Sequence, residues 1–279
     1  MKNQLRRHIA EKGSAVGSFL GLSNLAMVEC LGYTGLDFVI IDTEHGPYDT
    51  MPMSDMIQTA ERSGLAPLVR IADLTHREIQ HAADNGAQGI IVPCLRSVEE
   101  FRKAVELAKF APVGNRVFIK GRGSGFGNRE WSAGSLEEYM EQSNERLLML
   151  PQCETREALA HIEEIAAIPG LDGIFIGPFD LSISMGIPAQ FDHPDFTAAL
   201  LRIQNVCREA GKLCLIYANS LPEGKARLAE GYDAVAVSMD SAVFTEAYRS
   251  LVQQLRGRSR DGRRPVQLVL CIRPGLRRV

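Results

Sequence analysis

The sequence predicts an α/β protein with the architecture of a (β/α)8 TIM barrel, built as a single domain over residues 1–255. Short apolar segments of strand length alternate with helical segments along the chain, and eight such strands can be counted. The strands are apolar throughout, as expected for a parallel sheet that is covered on both faces. The length of 279 residues is common for such barrels.

The predicted strands are apolar runs bounded by glycine, proline or charged residues. They lie at 14–22, 37–42, 66–71, 89–93, 147–152, 173–177, 213–218 and 234–238. A short polar helix precedes the first strand, and further helices are predicted at 24–31, 50–63, 75–85, 97–110, 136–145, 156–167, 194–210, 222–230 and 241–255. Ser23 or Asn24 and Ser97 are placed as N-caps, and Gly86 is placed as a left-handed C-cap.

A doubly wound open sheet is the competing architecture. The first strand, however, is not followed by the G-x-G-x-x-G turn that dinucleotide binding requires. The segment 111–134 interrupts the alternation of strands and helices, and its six glycines predict a mobile loop or a lid.

Composition indicates a soluble enzyme of the cytoplasm. Apolar residues make up 45% and charged residues 23% of the chain, and no apolar run approaches the roughly 18 residues of a membrane span. The basic N-terminus is not followed by the apolar segment of a secretory signal. The six cysteines are scattered without a Cys-x-x-Cys pair, which favours reduced thiols over disulfides or a zinc site.

The net charge of −3 is distributed unevenly. Residues 256–279 contain eight Arg and one Asp, so this segment carries +7 and the body of the chain carries −10. An acidic body argues against nucleic acid as a partner. The 256–279 segment has no place in the barrel, and its Arg, Gly and Pro content predicts a disordered extension.

Polar side chains follow several predicted strands at their carboxyl ends, where a closed barrel would gather them on one rim. Asp42, Glu44 and His45 follow the second strand, and Arg70 ends the third. Gln152 and Glu154 follow the fifth strand, and Asp180 follows the sixth. Each could be a solvated charge or a structural ion pair, and it is their convergence that predicts an active site.

Glu154 and Asp180 are hard oxygen ligands on successive strands. Two carboxylates with open positions suit Mg²⁺ or Mn²⁺, with Co²⁺ as a further alternative, completed by water and a chelating substrate. Zinc is disfavoured because no His or Cys pair has ligand spacing. Pairing of one carboxylate with Arg70 is the structural alternative.

The remaining groups suggest proton transfer and stabilisation of an enolate. His45 titrates near neutrality and is the natural base, and Asp42 could fix its tautomer. Arg70 can hold a carboxylate or stabilise enolate charge. No lysine lies at the carboxyl end of a predicted strand, so a Schiff-base mechanism lacks an obvious nucleophile. Lewis-acid chemistry is then the remaining way to stabilise an enolate.

Five segments together resemble the HpcH/HpaI family of class II, metal-dependent pyruvate aldolases, and among them the 2,4-dihydroxyhept-2-enedioate and 2-dehydro-3-deoxyglucarate aldolases. The resemblance runs in order from about residue 14 to residue 255. The segments are GSFLGL at 17–22, DTEHGP at 42–47, VR at 69–70, QCETR at 152–156 and GPFDLS at 177–182.

The resemblance implies that Glu154 and Asp180 hold the metal and that pyruvate chelates it. It implies that Arg70 binds the keto oxygen, while Gln152 and the backbone amides around Phe179 and Asp180 contact the pyruvoyl part. The implied reaction is the reversible cleavage of a 4-hydroxy-2-oxo acid to pyruvate and an aldehyde, through a metal-bound pyruvate enolate.

The same resemblance implies that His45, supported by Asp42, acts as the base through a water molecule. It places Glu44 next to the residues that contact the metal and the substrate. It implies a homo-oligomer, a hexamer with exchanged C-terminal helices near 241–255, that acts on small 2-oxo acids and aldehydes. The family's Pro-x-Gly-x-Arg-Gly turn is altered here, because Val117 follows Arg116 and the next Arg-Gly pair begins at Arg122. Either arginine could take the place of the family's arginine.

Other functions remain open from the sequence. The same enolate could arise in an oxaloacetate decarboxylase, or attack a larger acceptor in an enzyme similar to macrophomate synthase. A CoA thioester lyase would need a nucleotide pocket, for which the sequence carries no signal. A non-enzymatic barrel that serves as a binding module is disfavoured while His45, Arg70, Glu154 and Asp180 are all present.

Overall fold

The structure is a computed structural model that describes residues 3–47 and 50–256. The extension predicted at 256–279 therefore lies outside the described residues, except for Arg256. The chain divides into two compact units, one that ends at Asp240 and one that begins at Ser241.

Nine parallel strands form one sheet in the larger unit, which confirms the α/β class. The sheet order is β5-β4-β3-β2-β1-β9-β8-β7-β6. Strands that are consecutive in the chain are neighbours, except β5 and β6, and β1 pairs with β9. The reversal of a doubly wound sheet is absent from the described strands. The strands β1 to β9 are Ala15–Leu20, Phe38–Asp42, Ala66–Arg70, Gly89–Ile91, Leu148–Met149, Gln152–Cys153, Gly173–Ile176, Leu213–Ala218 and Ala234–Met239.

The predicted strand at 147–152 is two short strands, β5 and β6, at opposite ends of the sheet order. Pro151 lies between them and has no N–H to donate to a neighbouring strand. The connecting residues still form hydrogen bonds on both sides. Leu150 N donates to Ile90 O at 2.9 Å, and Phe175 N donates to Pro151 O at 3.1 Å.

Twelve α-helices flank the strands in the described part of the chain. Ser97 forms a capping box with Glu100, and Gly86 ends its helix at φ 101°, as predicted. The predicted helix at 156–167 is two helices separated at His161. The helices α1 to α12 are Gln4–Lys12, Leu25–Gly32, Thr50–Arg62, His76–Asn85, Val98–Ala108, Leu136–Arg146, Arg156–Ala160, Ile162–Ala166, Pro178–Ser184, Pro194–Glu209, Leu221–Ala229 and Asp240–Leu255.

The sheet is buried on both faces, which explains why its strands lack a polar face. Along β2, Val39 and Ile41 belong to an apolar cluster shared with the helices. Phe38 and Ile40 belong to a second cluster, which consists almost entirely of strand residues from β1 to β9. Successive side chains of a strand point to opposite faces, so every position of β2 is apolar until the strand ends at Asp42.

The segment 111–134 contains two short 3-10 turns, Arg122–Ser124 and Glu130–Ser132. Three arginines fix it to α3 and α4 through ion pairs of 2.6–2.7 Å: Arg116 on Asp84, Arg122 on Asp55 and Arg129 on Glu61. Gly123 also packs against Gly86 at the end of α4. Because α4 leads into the amino end of β4, the contacts at Asp84 and Gly86 lie away from the carboxyl end of that strand. The role of the segment as a mobile loop or a lid stays a prediction.

The second unit is described as far as Arg256 and consists of the body of α12. Within it, the rings of Phe244 and Tyr248 are 4.9 Å apart, and Arg249 pairs with Glu246. None of the helices in residues 3–47 and 50–256 is both long and apolar enough to cross a membrane.

The capping box of α5 is expected to contribute to stability. Ser97 Oγ accepts from Glu100 N at 3.3 Å, so Ser97→Ala should lower the free energy of unfolding by about 1 kcal/mol. Ser97→Asp keeps an acceptor at the cap and serves as the control. Urea titrations followed by circular dichroism compare the three proteins, and equal midpoints for Ser97→Ala and the wild type would contradict the expectation.

Candidate active site

A cavity of about 200 Å³ lies where several strands end. Five residues that the sequence predicted for the site line it: His45, Arg70, Gln152, Phe179 and Asp180. The predicted Asp42, Glu44 and Glu154 lie next to these residues, as their hydrogen bonds and ion pairs show. The remaining lining is mostly aromatic or apolar and was not predicted: Phe19, Phe175, Gly177, Pro178, Tyr217 and Met239.

Asp42 and Arg70 form a two-point ion pair at the ends of adjacent strands. The register of β2 and β3 places the two residues opposite each other. Arg70 Nε donates to Asp42 Oδ1 at 2.9 Å, and Arg70 Nη2 donates to Asp42 Oδ2 at 2.7 Å. Burial opposes the charge on Arg70, but the bonds to Asp42 and the nearby Glu44 outweigh it and raise the pKa of Arg70. The guanidinium also lies 4.9 Å from the centre of the Phe19 ring.

The expected support of His45 by Asp42 is not what the structure shows. Among the described residues, the Asp42 carboxylate bonds to Arg70 and to the backbone N–H groups of Glu44 and His45. The carboxylate near the imidazole is Glu44, whose Oε2 lies 3.8 Å from His45 Nε2. The strand register gives Asp42 a charged partner in Arg70, so the prediction from sequence proximity was wrong on this point.

Glu44 is half-buried between a cation and the imidazole. Its Oε2 lies 3.1 Å from Arg70 Nη1, on the side of the guanidinium that Asp42 leaves open. Burial raises the pKa of Glu44 above its ordinary value, although Arg70 and His45 act in the opposite direction. The His45 side chain is 71% exposed, so its imidazole can exchange protons with water.

Glu154 is buried and held by two donors. Cys94 N donates to its Oε1 at 2.5 Å, and Gln152 Nε2 donates to its Oε2 at 2.7 Å. Burial raises the pKa of Glu154 to about 7, despite the bond from Cys94, and the charges of Asp180 and Glu44 act in the same direction as burial. Gln152 Oε1 is also buried, and no described residue gives it a hydrogen bond.

Two backbone features, neither of them predicted from the sequence, bring these groups together. Cys94 adopts φ 61°, a conformation that few residues other than glycine adopt, and in it the N–H of Cys94 bonds to Glu154. At Gly177, a Cβ atom would lie 2.7 Å from Glu154 Oε2, so any other residue would displace the carboxylate. Cys94 carries no sequence signal for this role.

Asp180 lies in the first turn of α9, a seven-residue helix that the sequence analysis did not predict. Proline at the first helical position, here Pro178, is a known start signal and could have revealed it. The Asp180 side chain is exposed at the cavity, and its charge acts on Glu154 and Glu44. The helix thus brings a third carboxylate toward the buried Glu154 and the half-buried Glu44.

The donor set fits a hard divalent cation. Glu154 and Asp180 are oxygen ligands. Burial raises the pKa of Glu154 most and the charges of Asp180 and Glu44 raise it further, and a bound cation would favour the ionised carboxylate against both. The orphaned Gln152 Oε1 is a further buried acceptor beside them. Among the described residues, no three His, Cys, Asp or Glu side chains are already arranged around one point as a metal site. A cation held here would keep open positions for water and substrate.

One known protein family matches most of the chain. Residues 15–247 match the model of one family, described as HpcH/HpaI aldolase/citrate lyase. The chain belongs to this family.

Three relatives illustrate the similarity. The 2-dehydro-3,6-dideoxy-6-sulfogluconate aldolase of Pseudomonas putida is 31% identical over 90% of this chain and 96% of its own. The 4-hydroxy-2-oxo-heptane-1,7-dioate aldolase of Salmonella paratyphi C is 31% identical over 90% of this chain and 94% of its own. The crystal structure of an HpcH/HpaI aldolase from Desulfitobacterium hafniense superposes with a TM-score of 0.83, at 26% identity, over 91% of this chain and 97% of its own. The protein described here, as a member of this family, is thus an enzyme, a carbon–carbon lyase.

Glu154→Gln should change how stability depends on pH in protein freed of divalent ions. The folded-state pKa of Glu154, about 7, lies above the ordinary value of 4.5 for a glutamate, so the wild type holds the stabilising contribution of the protonated group below pH 4.5 and loses it as the pH rises through about 7. The loss amounts to up to about 3 kcal/mol. Glutamine has no such proton, so the variant should gain stability relative to the wild type from about pH 5 to pH 8.

Urea unfolding in EDTA at about pH 5 and about pH 8 measures the difference in stability between Glu154→Gln and the wild type. Glu163→Gln is the control, because Arg202 lowers the pKa of Glu163 and its replacement should give no gain at high pH. Parallel pH profiles of stability for Glu154→Gln and the wild type would show that the pKa of Glu154 is not raised in the folded protein.

Proposed function

We propose that the protein is a divalent-metal-dependent aldolase that cleaves 4-hydroxy-2-oxo acids reversibly to pyruvate and an aldehyde. The observation that carries the proposal is the presence, at one cavity, of the Arg70 guanidinium fixed by Asp42 and of the carboxylates Glu154 and Asp180. A cationic side chain and a pair of hard oxygen ligands at or beside one small cavity suit a 2-oxo acid, which carries a carboxylate beside a keto group.

We also infer that the sheet closes as a (β/α)8 barrel. Supporting this, the segment 148–153 forms hydrogen bonds with β4 on one side and with β7 on the other, although β5 and β6 stand at opposite ends of the sheet order. An apolar cluster drawn from strands along the whole order is what the interior of such a barrel contains. Closure gathers the ends of β2, β3 and β6 around one cavity.

Glu154 and Asp180 would hold the metal, which when bound supplies a Lewis acid for the keto group of the substrate. Gln152 would hydrogen-bond the pyruvoyl part, together with the backbone amides around Phe179 and Asp180. Arg70 would donate to the keto oxygen with the N–H groups that Asp42 does not use, and would stabilise the negative charge as the enolate forms. Because Asp42 fixes the guanidinium beforehand, little reorganisation is needed in the reaction.

His45 would move the protons. In the cleavage direction it would remove the proton of the 4-hydroxyl, directly or through a water, as the bond between C3 and C4 breaks and the aldehyde forms. The bond electrons pass to the pyruvate enolate, and protonation at C3 then gives pyruvate. Glu44, at 3.8 Å, would stabilise the protonated imidazole. The exposure of His45 lets the proton return to water.

The oligomeric state and two alternative reactions also belong to the proposal. The family resemblance supports a homo-oligomer, a hexamer in which the C-terminal helix α12 is exchanged, and light scattering would measure its mass. The alternatives that share the enolate, oxaloacetate decarboxylation and a macrophomate-synthase-like addition, use the same groups. A panel of 2-oxo acids that includes oxaloacetate separates them by the rate of pyruvate release.

Removal of the divalent ion should abolish cleavage. EDTA is expected to stop pyruvate release from 4-hydroxy-2-oxo acids, and Mg²⁺, Mn²⁺ or Co²⁺ in excess should restore it, because Glu154 and Asp180 alone cannot supply a Lewis acid. Pyruvate release coupled to lactate dehydrogenase measures the rate. Full activity in EDTA would refute metal dependence.

Arg70→Ala should lower kcat by about 10²–10³, or about 3 kcal/mol of transition-state stabilisation, as does the loss of one preorganised donor to a developing oxyanion. Arg70→Lys keeps a charge but cannot form the fork with Asp42, so it should recover only part of the rate. Arg202→Ala, which removes a surface arginine bonded to Glu163, is the control. Near-normal turnover of folded Arg70→Ala would contradict the assigned role.

A further inference from the structure

The part of the cavity beyond the charged groups has a distinct chemistry. Phe19, Tyr217 and Met239 stand at the ends of β1, β8 and β9, and Phe175 and Phe179 complete the wall. We name these five residues the aromatic wall. The cavity of about 200 Å³ has the volume of more than ten waters, at roughly 10–15 Å³ for each, so pyruvate leaves room for a second small molecule.

The aromatic wall is a packed surface with fixed geometry. The Phe19 ring meets Phe175 edge-on at 5.9 Å and Tyr217 edge-on at 5.7 Å, and the Phe179 ring lies 6.3 Å from Tyr217. Phe19 and Phe175 are almost fully buried and belong to the inner apolar cluster, and Tyr217 and Met239 pack against it. Such rings offer apolar area and few hydrogen bonds to a ligand.

Polar groups that could bind a charged or hydroxylated acceptor are scarce on this wall. The Tyr217 hydroxyl donates to Asn219 Oδ1 at 3.4 Å. Among the described residues that line the cavity, Arg70 is the only Arg or Lys, and both Asp42 and Glu44 already engage it. His45, the remaining basic group, lies beside Glu44.

The electrostatics also act against an anionic acceptor. Four carboxylates lie at or beside the cavity, on Asp42, Glu44, Glu154 and Asp180. Arg70 and one divalent cation would supply three positive charges against these four and the carboxylate of pyruvate. A second carboxylate would therefore lose its hydration without gaining a cation.

We infer that the aldehyde partner of the enzyme is an uncharged, apolar aldehyde, aliphatic or aromatic, that packs on the aromatic wall, and not a carboxylated or polyhydroxylated aldehyde. This inference rests on the proposed function. Apolar area on the acceptor is rewarded by burial, whereas a hydroxyl or carboxylate loses water without a partner. The aromatic wall thus sets specificity, while the charged groups form the enolate.

The first experiment measures addition of pyruvate to matched aldehydes with the Mn²⁺-loaded enzyme. Butanal is compared with 4-oxobutanoate, which carries a terminal carboxylate on the same chain, and propanal with glyceraldehyde, which adds two hydroxyls. The expected kcat/KM is at least about 10-fold higher for the apolar member of each pair. Equal values, or a preference for 4-oxobutanoate, would overturn the inference.

Exchange of the pyruvate methyl protons in D₂O, followed by NMR without any aldehyde, separates the two proposals. Exchange requires only that a C3–H bond breaks to the enolate and that deuterium returns. Exchange combined with a preference for 4-oxobutanoate would leave the proposed function standing and refute the inference. Absence of exchange in the metal-loaded enzyme would refute the proposed function and this inference with it.

A charge placed on the wall tests its role directly. Met239→Arg and Tyr217→Arg are each expected to shift the ratio of kcat/KM toward 4-oxobutanoate by about 10-fold or more, because the carboxylate then gains a cation. Leu201→Arg, on the exposed face of α10, is the control and should leave the ratio unchanged. Folded variants whose ratios match the wild type, with methyl exchange retained, would contradict the assignment of the wall.

Discussion

The site depends on the ion pair between Asp42 and Arg70. The register of β2 against β3 sets the two side chains opposite each other, and both are almost fully buried. A buried pair is stabilising only when its geometry is good, and here two parallel hydrogen bonds supply that geometry. The pair holds the guanidinium still, and Glu44 takes its position from the same cation.

The sequence could predict the elements that depend on local pattern. Buried strands such as β2 are uniformly apolar, and Ser97 and Gly86 mark helix ends through their own chemistry. Helix α9 and the interruption of a strand at Pro151 were missed although a proline marks each of them. Features decided by neighbours in space, such as the bond from the Cys94 N–H to Glu154, were missed as well. The partner of Asp42 belongs to this second class, because it follows from strand register and not from distance along the chain.

Negative charge is concentrated beside the cavity at a cost that the fold compensates locally. Glu154 is buried among other carboxylates, and the N–H of Cys94 and the amide of Gln152 hold it. The Cys94 backbone adopts an uncommon conformation, and Gly177 gives up a side chain so that the carboxylate has space. Strain and crowding of this kind are typical of positions where chemistry outweighs stability.

The groups assigned to the 2-oxo acid and part of the aromatic wall come from different strands. Asp42, Arg70 and Gln152 belong to β2, β3 and β6, whereas Tyr217 and Met239 belong to β8 and β9. Substitutions on β8 and β9 can therefore reshape the acceptor side of the pocket while the ion pair between Asp42 and Arg70 stays in place.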